Sequence, residues 1–214
     1  AAAAGQLHAG LAHFDLMSTA YKPVYDALCG FAGSLPVSGT TNAAVVGRLM
    51  NNIKLGYYPT DPDNIALLLR GIQFPEGVTT NLLDPCCGCG KALRQLAEGN
   101  NCFAYGVELD DLSGRIARQL YQKSSIAVQG YEKTAFPDNF FDVAIGNVPF
   151  GQFHVPDKRY DRLNFPIHEY FVAKALDQVR PGGVIAVVTS SYTMDKRTAS
   201  ARKYIAQRSE LLGA

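Results

Sequence analysis

The order of apolar and polar positions predicts a chain of alternating strands and helices. Short apolar runs that end in acids, glycines or turn residues are typical of buried strands. Between these runs, apolar residues recur every three or four positions, which is the period of a helix with one buried face. The pattern predicts strands at residues 82–84, 102–108, 125–129, 141–145 and 184–188. It predicts helices at residues 63–70, 91–98, 110–123, 167–179 and 196–210, with a turn at 180–183. Strands connected through helices indicate an α/β fold with a doubly wound parallel sheet.

The first part of the chain has helical patches but no strand pattern. These patches lie at residues 11–17, 24–29 and 42–53. We therefore predict two regions, an N-terminal helical extension over 1–53 and an α/β domain over 54–214. The pattern leaves open whether the extension contacts substrate or only covers one side of the sheet.

The loop after the first strand is the most informative stretch. It reads Asp84-Pro-Cys-Cys-Gly-Cys-Gly-Lys91 and opens into a helix. Glycine allows positive φ and close approach of a ligand, and a helix N-terminus offers N–H donors to a carboxylate. Glu108 ends the second strand about 20 residues further on, which is the spacing at which an acid binds a ribose diol. Together these features indicate an adenosine-type cofactor with an amino-acid tail.

A second candidate site follows the fourth strand, at Asn147-Val148-Pro149-Phe150. Asn and Pro are common where strands end in turns, so a purely structural interpretation exists. The position of the tetrapeptide in a chain that also carries the glycine loop and Glu108 favours a functional interpretation.

Four motifs in this order resemble the S-adenosylmethionine (SAM)-dependent N6-adenine DNA methyltransferase family. They are Tyr-Pro-Thr at 58–60, Asp-Pro-Cys-Cys-Gly-Cys-Gly at 84–90, Gly-Val-Glu-Leu-Asp at 106–110 and Asn-Val-Pro-Phe at 147–150. The last is similar to the family's Asn-Pro-Pro-(Tyr/Phe/Trp), with Val148 in place of the first proline. Its form Asn-Val-Pro-Phe-Gly is similar to methyltransferase domains of phages and mobile elements that are often fused to helicases. The resemblance implies a Rossmann-like SAM-methyltransferase sheet, SAM as cofactor and DNA as substrate.

The resemblance also implies residue roles. Asn147, Val148, Pro149 and Phe150 would be catalytic: the Asn147 side-chain oxygen and the Val148 carbonyl accept hydrogen bonds from the adenine amine, and Phe150 stacks on the flipped base. The implied cofactor-binding residues are Tyr58, Pro59, Thr60, Asp84, Pro85, Cys86, Gly88, Gly90, Glu108, Leu109, Gln129 and Asn147. Gln129, with Tyr131 as an alternative, stands where the family has an acid or amide near the adenine of SAM. The alternative for the segment at 58–60 is a capped loop, and the functional interpretation is favoured. Because proline fixes φ, valine at 148 is expected to make the site less rigid and less active.

Family members add a sixth strand and an antiparallel seventh. The pattern ends near residue 210, so we expect the last strands to be missing, through truncation or because the chain belongs to a larger protein. The expected partners are DNA and a helicase or recognition subunit or fused domain, with no membrane. No stretch is typical of a membrane span or a cleavable signal, which predicts a cytoplasmic protein.

Charge and cysteine content narrow the alternatives only slightly. A net charge of +1 is uninformative, and the basic stretches at 158–162, 196–197 and 202–203 are candidate nucleic-acid faces or simply solvated surface. Cys86, Cys87 and Cys89 crowd one loop but lack paired spacing and a second cluster, so we predict no metal. His168 and Glu169 are interpreted as helix-start residues. Two other functions stay open: a methyltransferase of cytosine N4, RNA adenine or protein glutamine, and an inactive SAM-fold scaffold subunit.

Overall fold

The computed structural model describes residues 60–214, and five strands within this range form one parallel sheet. The strands are β1 (Thr80–Asp84), β2 (Cys102–Glu108), β3 (Ser125–Val128), β4 (Phe141–Asn147) and β5 (Val179–Val188). Their order in the sheet is β3-β2-β1-β4-β5. β2 and β3 therefore lie on one side of β1, and β4 and β5 lie on the other side. This is the predicted doubly wound α/β fold, and it is confirmed.

Helices connect the strands, close to the predicted positions. They are α1 (Pro62–Gly71), α2 (Lys91–Ala97), α3 (Asp111–Leu120), α4 (Ile167–Gln178), α5 (Tyr192–Asp195) and α6 (Ser200–Ala206). Asp61 caps α1 by accepting a hydrogen bond from the backbone N–H of Asp63, and Asp110 caps α3 in the same way. The bounds of the helix predicted over 196–210 are too wide, because α6 (Ser200–Ala206) is the helix within that range, and the short helix α5 that precedes it was not predicted.

The core lies on both faces of the sheet. Leu82 and Leu83 are adjacent on β1 and completely buried, but they belong to different apolar clusters because successive strand residues point to opposite faces. The Leu82 cluster includes residues of α1, α2 and α3. The Leu83 cluster includes most of the buried apolar residues of α4 and reaches α6. Both faces of the central strands are therefore covered, as expected for a parallel sheet.

The predicted turn at 180–183 is also wrong, since these residues lie inside β5 as a bulge. Phe141 pairs with Val179 and Val143 pairs with Val184, so one residue of β4 faces four residues of β5. The side chain of Arg180 donates a hydrogen bond to that one residue, Asp142. β5 lies at the edge of the sheet and contains the Pro-Gly-Gly segment as a bulge. Edge strands and bulges are the places in a sheet that tolerate proline.

Several predictions lie outside the described residues: the helices within 1–53, the boundary at 53, and the motif residues Tyr58 and Pro59. Across residues 60–214, no helix is both long and apolar enough to cross a bilayer.

Candidate active site

The loop between β1 and α2 has the backbone geometry that its glycines predict. Gly88 has φ of 54° and Gly90 has φ of 81°, both in the left-handed region. Gly90 is the residue before α2, and a Cβ atom placed on it would lie 2.5 Å from a ring carbon of Tyr121. A larger residue at position 90 would therefore be strained in its backbone and would collide with Tyr121.

Most of the loop's N–H groups are engaged within the protein. The N–H of Cys86 donates to Asp84 Oδ1 (3.1 Å), that of Gly88 to Glu108 Oε2 (2.7 Å), and those of Cys87 and Gly90 to backbone carbonyls. Three of these bonds tie the loop to the carboxyl ends of β1 and β2. All four groups precede α2, so the prediction that N–H groups at the helix N-terminus receive a carboxylate stays a prediction.

The cysteines of the loop fit beneath it as small packing groups. A Cβ atom on Gly106 of β2 would lie 2.7 Å from Cys87 Sγ, and one on Gly146 of β4 would lie 3.3 Å from Cys86 Sγ. Cys86 Sγ donates a hydrogen bond to the backbone carbonyl of Asn147 (3.0 Å). Burial raises the pKa of both thiols, which keeps them protonated. This hydrogen bond connects the glycine loop directly to the tetrapeptide after β4.

Two acids lie where the cofactor is predicted to bind. Burial raises the pKa of Asp84 to about 7, although the hydrogen bond from the Cys86 N–H opposes this rise. Burial also raises the pKa of Glu108, against hydrogen bonds from the N–H groups of Asp110 and Gly88. Ionising these groups is costly without hydrogen-bond donors or a cation nearby. SAM brings ribose hydroxyls, a sulfonium and an ammonium group, so this pair of acids beside a glycine loop fits the chemistry of SAM.

The other predicted cofactor residues are more scattered. Thr60 precedes α1 and is partly exposed, and Leu109 follows β2 and is 77% exposed. Gln129 follows β3, and its backbone N–H donates to the carbonyl of Glu108 at 2.9 Å, so it lies beside the end of β2. The alternative, Tyr131, is 2% exposed, and its hydroxyl is hydrogen-bonded to a side chain of α4. Tyr131 is therefore a core residue, and Gln129 is the better placed of the two.

The tetrapeptide begins at the last residue of β4. Asn147 and Pro149 are partly buried, Val148 is 1% exposed and Phe150 is 48% exposed. The backbone N–H of Val148 donates to the carbonyl of Val188 (3.1 Å), which extends the pairing of β4 with β5 by one residue. Proline has no N–H and could not make this bond. The expected loss of rigidity at position 148 is therefore offset by a hydrogen bond that the family's proline lacks.

The sheet brings the two candidate sites together. Asp84, Glu108 and Asn147 are the last residues of β1, β2 and β4, and β1 pairs with both of the other strands. The strand order reverses between β1 and β4, because β2 lies on one side of β1 and β4 lies on the other. Open α/β sheets bind ligands in the crevice at such a topological switch point. The predicted cofactor loop and the predicted amine-binding tetrapeptide thus follow the carboxyl ends of neighbouring strands, where such a crevice is expected.

A buried charge pair that the sequence pattern did not predict anchors the segment after the tetrapeptide. Lys174 of α4 is 5% exposed, and its Nζ lies 3.1 Å from Asp157 Oδ2 and 2.8 Å from the backbone carbonyl of Tyr131. The Tyr170 hydroxyl donates to the same Asp157 oxygen (2.8 Å). Burial raises the pKa of Asp157, but these hydrogen bonds outweigh it and hold the pKa below its ordinary value. A lysine in the apolar run of α4 was the signal available in the sequence.

His168 and Glu169 lie in the first turn of α4, as interpreted from the sequence, but both are only 2% exposed. Glu169 Oε1 accepts a hydrogen bond from Lys196 Nζ (3.4 Å), which follows α5. Within residues 60–214, no group of three or more His, Cys, Asp or Glu side chains is arranged to hold a metal ion.

Comparison with known proteins gives a family and a fold. The model of an uncharacterised methyltransferase family, DUF6094, matches residues 1–193. A protein of Escherichia phage P1, "Defense against restriction protein B", is 30% identical over 140 residues, which are 63% of this chain but 6% of the phage protein. The "rRNA N(6)-adenosine-methyltransferase metl-5" of Caenorhabditis elegans is 26% identical over 162 residues, 71% of this chain and 72% of that protein.

Among solved structures, a class I SAM-dependent methyltransferase of Listeria monocytogenes superposes with a TM-score of 0.53 at 19% identity. The match covers 89% of this chain and 60% of the Listeria chain, and it shows a shared fold. A methyltransferase family and this fold together identify SAM as the cofactor, as the sequence predicts. Which residues bind SAM stays a prediction.

Proposed function

The chain belongs to the methyltransferase family DUF6094, and from this premise we propose that it transfers a methyl group from SAM to the N6 amine of adenine in DNA. The observation that carries the proposal is the position of Asn147-Val148-Pro149-Phe150. It follows β4, beside the loop of β1 that carries Asp84, and Cys86 of that loop is hydrogen-bonded to Asn147. An amine held at this tetrapeptide would lie next to a cofactor held at the loop.

The chemistry that the site must perform is activation of a weak nucleophile. The lone pair of an exocyclic amine is delocalised into the base ring. If the Asn147 side-chain oxygen and the Val148 carbonyl accept hydrogen bonds from the two N–H groups, the nitrogen becomes more tetrahedral and its lone pair more available. Phe150, half exposed beside them, would stack on the flipped base.

The remaining steps need neither a metal nor a covalent intermediate with the protein. SAM, when bound, supplies a methyl group on its sulfonium and becomes S-adenosylhomocysteine as the C–S bond breaks. The amine nitrogen forms the new N–C bond and loses one proton to water. The protein contributes mainly by holding two reactants in one crevice, and proximity of this kind supplies a large part of an enzyme's acceleration.

The test is to incubate the protein with SAM and unmethylated DNA, digest the DNA to nucleosides and identify methylated bases by mass spectrometry. We expect N6-methyladenine, and we expect Asn147→Ala to lower its yield at least about 100-fold, as loss of one stabilising hydrogen-bonding group does in other enzymes. Asn101→Ala is the matched control, because Asn101 is exposed and precedes β2, at the opposite edge of the sheet.

The same digest distinguishes the alternatives. N4-methylcytosine in place of N6-methyladenine would replace the proposed base. SAM binding by calorimetry without any methylated base would contradict DNA as the acceptor and favour a protein acceptor. Absence of both SAM binding and product would favour the inactive scaffold.

RNA adenosine is the second candidate acceptor, and the Caenorhabditis elegans relative favours it. That protein is named as an rRNA N6-adenosine methyltransferase, and the match covers 72% of it. The assay is therefore run in parallel on RNA of the same sequence. N6-methyladenosine from RNA with no product from DNA would move the assignment to this second candidate.

A further inference from the structure

Two exposed phenylalanines lie within one short stretch after β4. In the described part of the chain most aromatic side chains are buried or partly buried, yet Phe150 is 48% exposed and Phe153 is 58% exposed. The one other phenylalanine exposed to this degree in residues 60–214 is Phe103, near the amino end of β2. Phe150 has a role in the proposed function, whereas Phe153 has none and leaves apolar surface in contact with water.

The structure holds Phe153 against Gly151, the residue that follows the tetrapeptide. A Cβ atom on Gly151 would lie 2.5 Å from the Phe153 ring, so the ring packs directly on the backbone of Gly151 and the absence of a side chain there makes room for it. The backbone carbonyl of Phe153 accepts a hydrogen bond from the N–H of Ile167 at the start of α4 (3.0 Å). Phe153 is therefore positioned from both sides although its ring is exposed.

Exposed cationic side chains follow Phe153 in the same loop and also follow the neighbouring strand. Lys158 and Arg162 are exposed in the same loop, which the buried Lys174–Asp157 pair anchors to α4. Arg197 is exposed in the segment after β5, which is the neighbour of β4 in the sheet. Exposed aromatic rings beside basic residues are the arrangement with which proteins bind unpaired nucleic-acid strands, because successive bases stack on the rings.

We propose that Phe150 and Phe153 form a two-ring platform for an unpaired DNA strand, in which Phe153 stacks on the nucleobase next to the target adenine. Phe153 is three positions after Phe150, so their Cα atoms are at most about 10 Å apart, which suits neighbouring nucleotides. The proposal rests on the proposed function. It adds a residue to the substrate site and predicts that adenine in an unpaired strand is preferred over adenine in a continuous duplex.

The test is a double-mutant cycle in which protein variants are combined with DNA variants. Binding of a labelled single-stranded oligonucleotide with one adenine is measured by fluorescence anisotropy in the presence of S-adenosylhomocysteine. Two further oligonucleotides carry an abasic site on the 5′ or the 3′ side of that adenine. The proteins are the wild type, Phe153→Ala and the matched control Phe103→Ala, and calorimetry of S-adenosylhomocysteine binding checks that each is folded.

We expect Phe153→Ala to weaken binding of the intact strand roughly 5- to 150-fold, the factor that corresponds to loss of one base stack. We expect Phe103→Ala to bind like the wild type. For the wild type, one of the two abasic strands should bind more weakly than the intact strand by a similar factor. For Phe153→Ala, the same abasic strand should bind as well as the intact strand. Gly151→Ala should weaken binding because its Cβ displaces the ring, and it should add nothing to Phe153→Ala.

Equal losses on the abasic strands for the wild type and Phe153→Ala would overturn the platform, as would equal binding by Phe153→Ala and Phe103→Ala. The proposed function fails separately. If the wild type makes N6-methyladenine but the cycle shows no coupling, the platform alone is wrong. If coupling is present but DNA yields no methylated adenine, the platform stands and the acceptor assignment is wrong.

Discussion

The burial of Asp84 makes a single carboxyl group responsible for part of the protein's pH dependence. Asp84 is 2% exposed, and burial raises its pKa to about 7. Between about pH 4 and pH 7 the folded protein therefore keeps a proton on this group that the unfolded chain has released. Stability from this source is fully present near pH 4 and declines as pH rises, by roughly 1.4 kcal/mol per pH unit.

We predict that Asp84→Asn removes this decline in the protein without cofactor. Asparagine keeps the oxygen that accepts the hydrogen bond from the Cys86 N–H, but it cannot ionise. The free energy of unfolding of the variant should therefore increase relative to that of the wild type as pH rises from 4 to 7. Urea unfolding at several pH values measures the difference.

Asp138→Asn is the control for this experiment. Asp138 is exposed, and its hydrogen bond with Arg159 lowers its pKa, so its effect on stability falls below the window from about pH 4 to pH 7. Parallel pH curves for the wild type and Asp84→Asn would contradict a protonated Asp84 in the folded protein.

At single positions, the sequence predicted the identity of the candidate residues better than their contacts. Positive φ at Gly88 and Gly90 was predictable, because the pattern of the loop requires it. The hydrogen bond from the Val148 N–H to Val188 was not, since it depends on the register of β4 against a strand some 40 residues later in the chain. The expectation that valine makes the site less rigid and less active considered only the side chain at position 148 and not the hydrogen bond to Val188.

Among the elements, the loop after the tetrapeptide is held by long-range contacts with α4. Asp157 lies in this loop, and Lys174 and Tyr170 of α4 hold it. The Lys174 and Asp157 side chains are 7% and 12% exposed, so neither charge is well solvated if its partner is removed. Removing one member of a buried pair leaves an uncompensated charge, which typically costs about 3–5 kcal/mol.

We predict that Lys174→Met lowers the free energy of unfolding by about 3 kcal/mol or more, whereas Lys203→Met, at an exposed lysine of α6, changes it by less than about 0.5 kcal/mol. Urea unfolding at neutral pH is the measurement. Asp157→Asn should lower the free energy of unfolding less in the Lys174→Met variant than in the wild type, because Lys174→Met has already left the Asp157 charge unpaired. Additive effects of the two substitutions would contradict the coupling that the structure shows.

The elements themselves were largely predictable for physical reasons that differ between strands and helix ends. All five strands were found because buried parallel strands are short, apolar and bounded by turn residues. The Pro-Gly-Gly segment was misassigned because its residues favour a turn, while the edge position of β5 lets the strand carry a bulge. The last helix was predicted too long because the pattern alone did not place its ends at Ser200 and Ala206.

At the scale of the whole molecule, attraction to nucleic acid must come from the arrangement of charges, since the net charge is only +1. The carboxyl edge of the sheet carries the exposed Lys158, Arg162 and Arg197, in the loops after β4 and β5. If this edge binds a DNA strand, each cation that contacts a phosphate releases a counterion, so affinity falls as salt is added.

We predict that Lys158→Gln makes the plot of log binding constant against log salt concentration less steep by about 0.7, the value expected for one phosphate contact on a single strand. Lys123→Gln is matched in chemistry and exposure, but Lys123 precedes β3 and lies at the opposite edge of the sheet, so its slope should equal that of the wild type. Anisotropy titrations of a single-stranded oligonucleotide at several salt concentrations give both slopes. Equal reductions for the two variants would mean that the strand is attracted by total charge and not by the carboxyl edge, and an unchanged slope for Lys158→Gln would remove this lysine from the binding surface.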